Sequence, residues 1–286
     1  MNSMTNQSSS KWGKCQGIPY TERTLRFLLK LWGIKYMTTT QICELFWLES
    51  SSSPLLALKS CQRFLRQAEK YDLIRRIHQA AKRGEGSRPD LFKLSANSIP
   101  LLAHLCTIDP ASVDTEIWAD EELNPKIKHI LATTDIHIAF QKSCKNSDYF
   151  LAEWPDESAL RNEPTKDTIT LPNRQGEEGI VPIIPDVRFV LSREDKQAVY
   201  RLEVDRASID LEASREQKRS IAQKMKRYLQ LEQGEFYQKE YGTRPLRVLW
   251  AVKGQRRMNN MLSVAGKVIK HFVGVPDEAP QEENQK

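Results

Sequence analysis

Three helical patterns followed by two short β patterns occupy the amino-terminal part of the chain, and this order most constrains its fold. Apolar residues recur at helical spacing from Thr21 to Tyr36, where Thr21 is a capping residue. The threonines at 38–40 offer N-caps to a second, shorter helix. Ser53-Pro54 then supplies a cap and a first-turn proline for a third helix, which runs to about Tyr71.

The third predicted helix has different chemistry on its two sides. At about 100° per residue, one side collects apolar or small residues: Leu58, Cys61, Leu65 and Ala68. The opposite side collects cations: Lys59, Arg63, Arg66 and Lys70. A solvated helix face normally mixes Glu with Lys, whereas Glu69 is the one acid here besides the flanks. The pattern favours contact with DNA over a merely solvated face.

A β-hairpin pattern follows that helix. Leu73, Ile74 and Ile77 begin one strand, and the segment 91–94 forms a second. The stretch between them contains two glycines and several cations. Four cations of this hairpin are candidates for contact with DNA: Arg76 on the first strand, and Lys82, Arg83 and Arg88 in the stretch between the strands.

Three helices and a basic hairpin are the order of a winged helix-turn-helix, whose third helix enters the major groove of DNA. We therefore predict such a domain over residues 21–106. Lys59, Arg63 and Arg66 would lie near the bases. The four hairpin cations would contact the backbone.

The charge distribution agrees with this prediction. The net charge of the chain is +6, but residues 1–106 hold 16 Lys or Arg and 7 Asp or Glu, a net charge of +9. The remainder of the chain holds 27 Lys or Arg and 30 Asp or Glu, a net charge of −3. A concentration of cations attracts a polyanion such as double-stranded DNA, although a solvated surface alone explains charge equally well.

The chain of 286 residues is long enough for two domains. We expect a flexible segment over residues 1–20 before the first domain, and an acidic linker over 107–123 after it. The second domain covers 124–275, with predicted elements in the order αβββαβ, and a disordered tail follows over 276–286. The predicted fold class is therefore α+β.

Several classes of protein are excluded by what the sequence lacks. No apolar stretch is long enough to span a membrane, and no secretory signal or P-loop motif is present. The five cysteines include no C-x-x-C pair. We expect a cytoplasmic protein without a membrane partner.

Two acidic motifs lie on adjacent predicted strands of the second domain. Pro185-Asp186 lies near the start of one strand, and Glu203-Val204-Asp205 ends the next. Converging carboxylates are ligands for Mg²⁺, which activates water and stabilises charge at a phosphodiester. Alternatively, the acids merely end strands and bind loop amides or a neighbour such as Arg206.

The αβββαβ order with these acids resembles the core of the PD-(D/E)XK nuclease superfamily. The resemblance implies that Asp186 and Glu203 are metal ligands of a nuclease-like α/β domain. Asp205 takes the place of the usual catalytic lysine. Lys224 on the following helix could supply a relocated cation, and Glu153 another carboxylate.

The chain as a whole resembles the replication-relaxation family of plasmids and integrative elements, and more distantly the restriction-enzyme-like mobilisation relaxases. The resemblance covers roughly Thr21 to His271. Besides the winged helix, it rests on short segments: Ile136-His137-Ile138, Glu153-Trp154, residues 185–189, residues 202–206, and Lys224 with Tyr228. It implies DNA binding at an origin or transfer site, together with replication or transfer proteins of the same element.

Three hypotheses remain open from the sequence. The first is a sequence-specific double-stranded DNA-binding protein of mobile-element replication or mobilisation, whose nuclease-like domain serves binding or assembly. The second is a Mg²⁺-dependent nicking endonuclease that uses Asp186, Glu203, Asp205 and Lys224. The third is a winged-helix transcriptional regulator. A homodimer is a further hypothesis, although no heptad pattern specifies one.

Overall fold

The structure is a computed structural model that describes residues 13–15, 18–79, 88–106, 125–155, 160, 167–172, 176–206, 211, 220–241 and 244–272. The chain divides into two compact units, Met1–Asn146 (unit 1) and Ser147–Lys286 (unit 2). Both units combine helices with β-strands, which confirms the mixed α+β class. The predicted linker at 107–123, the hairpin tip with Lys82 and Arg83, and the tail at 276–286 lie outside the described residues.

The elements of unit 1 include the three helices, the strand pair and the following helix in the predicted order, together with three short strands at 13–15, 18–20 and 37–38 that the sequence did not predict. The elements are β1 Gly13–Cys15, β2 Ile18–Tyr20, α1 Glu22–Ile34, β3 Met37–Thr38, α2 Thr39–Phe46, α3 Pro54–Lys70, β4 Ile74–Ile77, β5 Leu91–Leu94, α4 Ser98–Cys106 and α5 Pro125–Lys145. The predicted caps are in place: Thr21 and Thr38 form capping boxes, and Ser53 caps α3 with Pro54 in its first turn. Local signals therefore determine where the first three helices begin.

A three-stranded sheet of order β3-β5-β4 lies beside these helices. Strands β4 and β5 are antiparallel neighbours, with Ile74 opposite Leu94 and Ile77 opposite Leu91. The short strand β3 pairs with the other edge of β5 through Met37 and Phe92. The sheet thus joins the chain before α2 to the hairpin that follows α3.

One apolar core holds unit 1 together. Phe27 on α1 is completely buried and packs edge-on against Phe46 of α2 and Phe64 of α3. Cys61 and Leu65 of α3 are buried in the same core. Leu58, predicted on the buried side of α3, is partly buried and packs against the edge of this core.

Helix α5 packs on unit 1, although the sequence analysis assigns it to the second domain. The side-chain amide of Gln41 on α2 donates hydrogen bonds to Leu131 O (2.9 Å) and to Asp135 Oδ1 (2.7 Å) of α5. Ile127 of α5 is buried with Tyr36 and Leu91. These contacts place the division between the units after Asn146 instead of at the predicted start of the second domain, residue 124.

Unit 2 contains a four-stranded sheet, a hairpin and three helices among its described residues. The elements are β6 Phe150–Glu153, β7 Thr168–Pro172, β8 Glu178–Pro182, β9 Val187–Arg193, β10 Lys196–Asp205, α6 Ile221–Gln233, α7 Glu235–Tyr241, β11 Val248–Val252 and α8 Gln255–Phe272. The sheet has the order β11-β10-β9-β6. Strand β10 is antiparallel to β9 and parallel to β11, so α6 and α7 lie in the crossover connection.

The hairpin β7–β8 differs from the sequence-based expectation. The polar composition of residues 157–179 predicts an insertion, and the apolar, β-branched residues of 180–191 predict a single strand. In the structure, the alternating segment Thr168–Pro172 pairs with Glu178–Pro182, and β9 begins only at Val187. Pro182 and Pro185 separate β8 from β9, because proline cannot donate to a strand ladder.

None of the helices in the described part of the chain combines the length and apolar character that a membrane span needs.

The docking of α5 gives a stability prediction. Gln41→Ala removes the two hydrogen bonds to α5 and the capping bond from Thr38 N (3.0 Å) to Gln41 Oε1. We expect a loss of about 2–3 kcal/mol in the free energy of unfolding, measured by urea denaturation of the full chain. Gln62→Ala on the exposed side of α3 is the control, and we expect a change below about 0.5 kcal/mol. Equal stability of the two variants would contradict the role of Gln41.

Candidate functional site

The exposed side of α3 carries several cations. Lys59, Arg63 and Arg66 are all exposed, and no ion pair joins them to any residue within the described ranges. The opposite side of the helix is buried through Ala57, Cys61, Leu65 and Ala68. Because packing holds the helix by one side, the cationic side is presented to solvent on a rigid element.

The side chain of Arg76, on the first strand of the hairpin, contacts two acids and an aromatic ring of unit 1. Its guanidinium donates to Glu69 Oε2 at 2.5 Å and lies 3.6 Å from Asp90 Oδ2. It also lies over the ring of Phe92, at 5.5 Å from the ring centre. These contacts tie β4 to the end of α3 and to the residue before β5. Arg88 lies between the two strands of the hairpin, within the described residues, and is partly exposed.

A second cluster lies on β10 of unit 2. Arg201, Glu203 and Asp205 are 0%, 2% and 7% exposed. Alternate residues of a strand point to the same side of a sheet, so the three charged side chains share one buried face. We call these three residues the charged row. Buried charges require partners, and each member of the row has one from a different part of unit 2.

Arg201 and Asp205 each form a bidentate ion pair, with different partners. The Arg201 guanidinium donates to both oxygens of Asp167, at 2.6 and 3.0 Å. Tyr237 and Tyr241 of α7 place their rings 5.4 and 4.8 Å from that guanidinium. In the second pair, Arg257 of α8 donates to the two Asp205 oxygens at 2.7 and 3.2 Å. Both carboxylates are therefore bound in the geometry that arginine favours.

Glu203 lies between these pairs and contacts α6. Lys224 Nζ donates to Glu203 Oε2, and the Tyr228 hydroxyl donates to Glu203 Oε1. Burial raises the pKa of Glu203 to about 7, because loss of water outweighs the attraction of Lys224, and the nearby Asp186 adds to the rise. Both oxygens of Glu203 are thus engaged by side chains of the same helix.

Asp186 lies just before β9, beside the charged row. Strands β9 and β10 pair Val187 with Leu202, which brings Asp186 next to Glu203. The Val204 amide donates to Asp186 Oδ2 at 2.7 Å. Glu153, the additional carboxylate considered from the sequence, is exposed on β6 opposite Val190.

The donor atoms do not fit a Mg²⁺ site in this arrangement. Asp186 and Glu203 are adjacent as the sequence predicts, but Asp186 Oδ2 binds a backbone amide and Glu203 binds Lys224 and Tyr228. Asp205 is bound by Arg257. Within the described ranges, no group of three His, Cys, Asp or Glu side chains is arranged to hold a metal ion.

Several partners in this cluster are not evident from the sequence. Asp167, Arg257 and Tyr241 are distant from β10 in sequence, and only the fold brings them to the charged row. The alternation of charges in Arg201-Leu202-Glu203-Val204-Asp205 is the one local signal. A strand buried on both faces that carries three charges requires three partners.

The two units together define an α+β protein, with an exposed cationic helix side in one unit and a buried charged row with bound partners in the other. A family model described as replication-relaxation matches residues 28–246, from α1 into unit 2. The chain belongs to the replication-relaxation family, as the sequence resemblance predicts. Membership supports a role in the replication or mobilisation of plasmids or mobile elements. No curated protein and no solved structure matches the chain.

The raised pKa of Glu203 predicts a dependence of stability on pH. Its pKa in the folded protein, about 7, exceeds its ordinary value of 4.5. The protonated form is therefore favoured by folding, and this contribution is fully present below pH 4.5 and is lost as pH rises through 7. Relative to Glu203→Gln, we expect the wild-type chain to lose about 3 kcal/mol of stability across this range.

Urea unfolding of both proteins, measured at intervals from acid to mildly alkaline pH, checks this expectation. A stability difference that stays constant with pH would contradict it.

Proposed function

We propose that this protein binds double-stranded DNA through a winged helix-turn-helix in unit 1, with α3 in the major groove, during replication or mobilisation of its element. The observation that carries the proposal is the cationic side of α3. Lys59, Arg63 and Arg66 are exposed there, and none is paired with an acid among the described residues. Arginine and lysine in this position donate to guanine edges and to phosphates.

The order of elements supports this proposal. The helices α1, α2 and α3 precede the antiparallel pair β4–β5, and β3 between α1 and α2 completes the sheet. In a winged helix this arrangement orients the third helix toward the groove and the hairpin toward the adjacent backbone. Lys82 and Arg83 belong to that hairpin by sequence and are proposed backbone contacts, together with Arg88.

Arg76 has a different role in the proposal. Its contacts with Glu69, Asp90 and Phe92 join the hairpin to α3. We infer that it positions the hairpin relative to α3, so that its effect on DNA binding is indirect.

For unit 2 we propose a nuclease-like framework that does not cleave DNA. The strand order around Asp186 and Glu203 supports the likeness to that framework. The engagement of Glu203 by Lys224 and Tyr228, and of Asp205 by Arg257, supports a structural role for these acids. Asp205 also occupies the place where a cleaving member of the resembled superfamily has lysine.

Charge reversal on α3 tests the DNA-binding proposal. We expect the triple variant Lys59→Glu, Arg63→Glu, Arg66→Glu to bind a mixed-sequence duplex at least about 100-fold more weakly, because three contacts are replaced by repulsion. The slope of binding affinity against salt should also fall, since fewer counterions are released. Fluorescence anisotropy of a labelled duplex at several salt concentrations measures both quantities.

The matched control changes the net charge equally at exposed positions elsewhere: Lys128→Glu, Lys196→Glu and Lys239→Glu. We expect an effect below about fivefold, because only the long-range field changes. If the two triple variants bind the duplex alike, α3 is not the DNA-binding element.

A further inference from the structure

Arg188 of β9 is a partly buried cation for which the described part of the chain offers no acidic partner. Its Nε atom is buried and has no hydrogen-bond acceptor, and no ion pair involves its guanidinium across the described residues. Two other arginines of unit 2 differ. Arg201 is bound by Asp167, and Arg257 is bound by Asp205.

The acids near Arg188 are already committed to other donors. The β9–β10 register places Arg188 opposite Arg201, on the face of the sheet that carries the charged row. Asp186, two residues earlier on that face, accepts from the Val204 amide. Glu203 binds Lys224 and Tyr228. Arg188 therefore adds positive charge beside Arg201, and no carboxylate of the described ranges pairs with it.

The neighbouring strand ends before Arg188. The β6–β9 ladder ends with Glu153 opposite Val190, so in that ladder Arg188 has no cross-strand neighbour. A donor withdrawn from water without an acceptor is unfavourable, and native structures retain such groups where a ligand completes them. A guanidinium in this situation fits an oxyanion, which it binds by charge-assisted hydrogen bonds.

We propose that Arg188 binds a phosphate of the DNA backbone, which gives unit 2 its own contact with the DNA. The proposal rests on the DNA binding proposed for unit 1 and names a second place of contact. The phosphodiester supplies an acceptor to a guanidinium for which the described residues provide none. Because every nucleotide carries the same phosphate, the contact adds affinity and orientation without reading sequence.

The test compares two properties of the full chain carrying Arg188→Met. For DNA binding, we expect an affinity about fivefold lower and a salt slope reduced by about one, as loss of one phosphate contact predicts. For the free protein, we expect a melting temperature equal to or higher than that of the wild type, because methionine removes the unsatisfied donor and keeps the apolar stem. Arg188→Lys should retain much of the affinity, since it keeps the charge.

Arg193→Met on the same strand is the matched control. Arg193 is exposed and is paired with Asp148, at 3.3 Å. We expect its substitution to leave the salt slope unchanged.

The outcomes separate this proposal from the one on which it rests. If the wild-type chain binds no DNA, both proposals fail. If the wild type binds DNA and Arg188→Met binds with the same affinity and salt slope, only the Arg188 contact is overturned. A variant that loses both affinity and melting temperature would assign Arg188 a structural role and would also overturn it.

Discussion

The pairing of buried charges along β10 is the constraint on which unit 2 depends. Arg201, Glu203 and Asp205 share one buried face. Removing the partner of a buried charge typically costs about 3–5 kcal/mol, which is a large part of a domain's stability. The partners come from the segment before β7, from α6 and from α8. Each ion pair thus fixes the place of one element over the sheet, and apolar packing around Tyr228, Leu231 and Tyr237 fills the space between them.

This constraint also decides what the acids of unit 2 can do. A carboxylate that holds a hard cation needs oxygen atoms open to the ion. Here the oxygens of Glu203 accept from Lys224 and the Tyr228 hydroxyl, those of Asp205 accept from Arg257, and one oxygen of Asp186 accepts from a backbone amide. Unit 1 shows the opposite arrangement: packing buries the apolar side of α3, and its exposed cations have no acidic partner among the residues that the structure describes. The two units therefore support different roles, structural for the buried acids and DNA-facing for the exposed cations.

Local chemistry made part of this account predictable. The caps at Thr21, Thr38 and Ser53, and the two sides of α3, depend on residues within a few turns of each other, so the sequence displays them directly. Strand alternation likewise placed Asp186 beside Glu203. The contact of α5 with Gln41 and the partners of the charged row were not predicted. Both depend on contacts between residues far apart in sequence, for which no local pattern exists.

The most direct test of the central claim, that the protein binds DNA without cutting it, uses supercoiled plasmid in the presence of Mg²⁺ or Mn²⁺, with an EDTA control. Binding is measured by retardation of the plasmid, and cleavage by its conversion to the relaxed form. The account predicts retardation while the plasmid remains supercoiled under all three conditions. Metal-dependent relaxation that disappears in Asp186→Ala would contradict it and would establish a nicking enzyme.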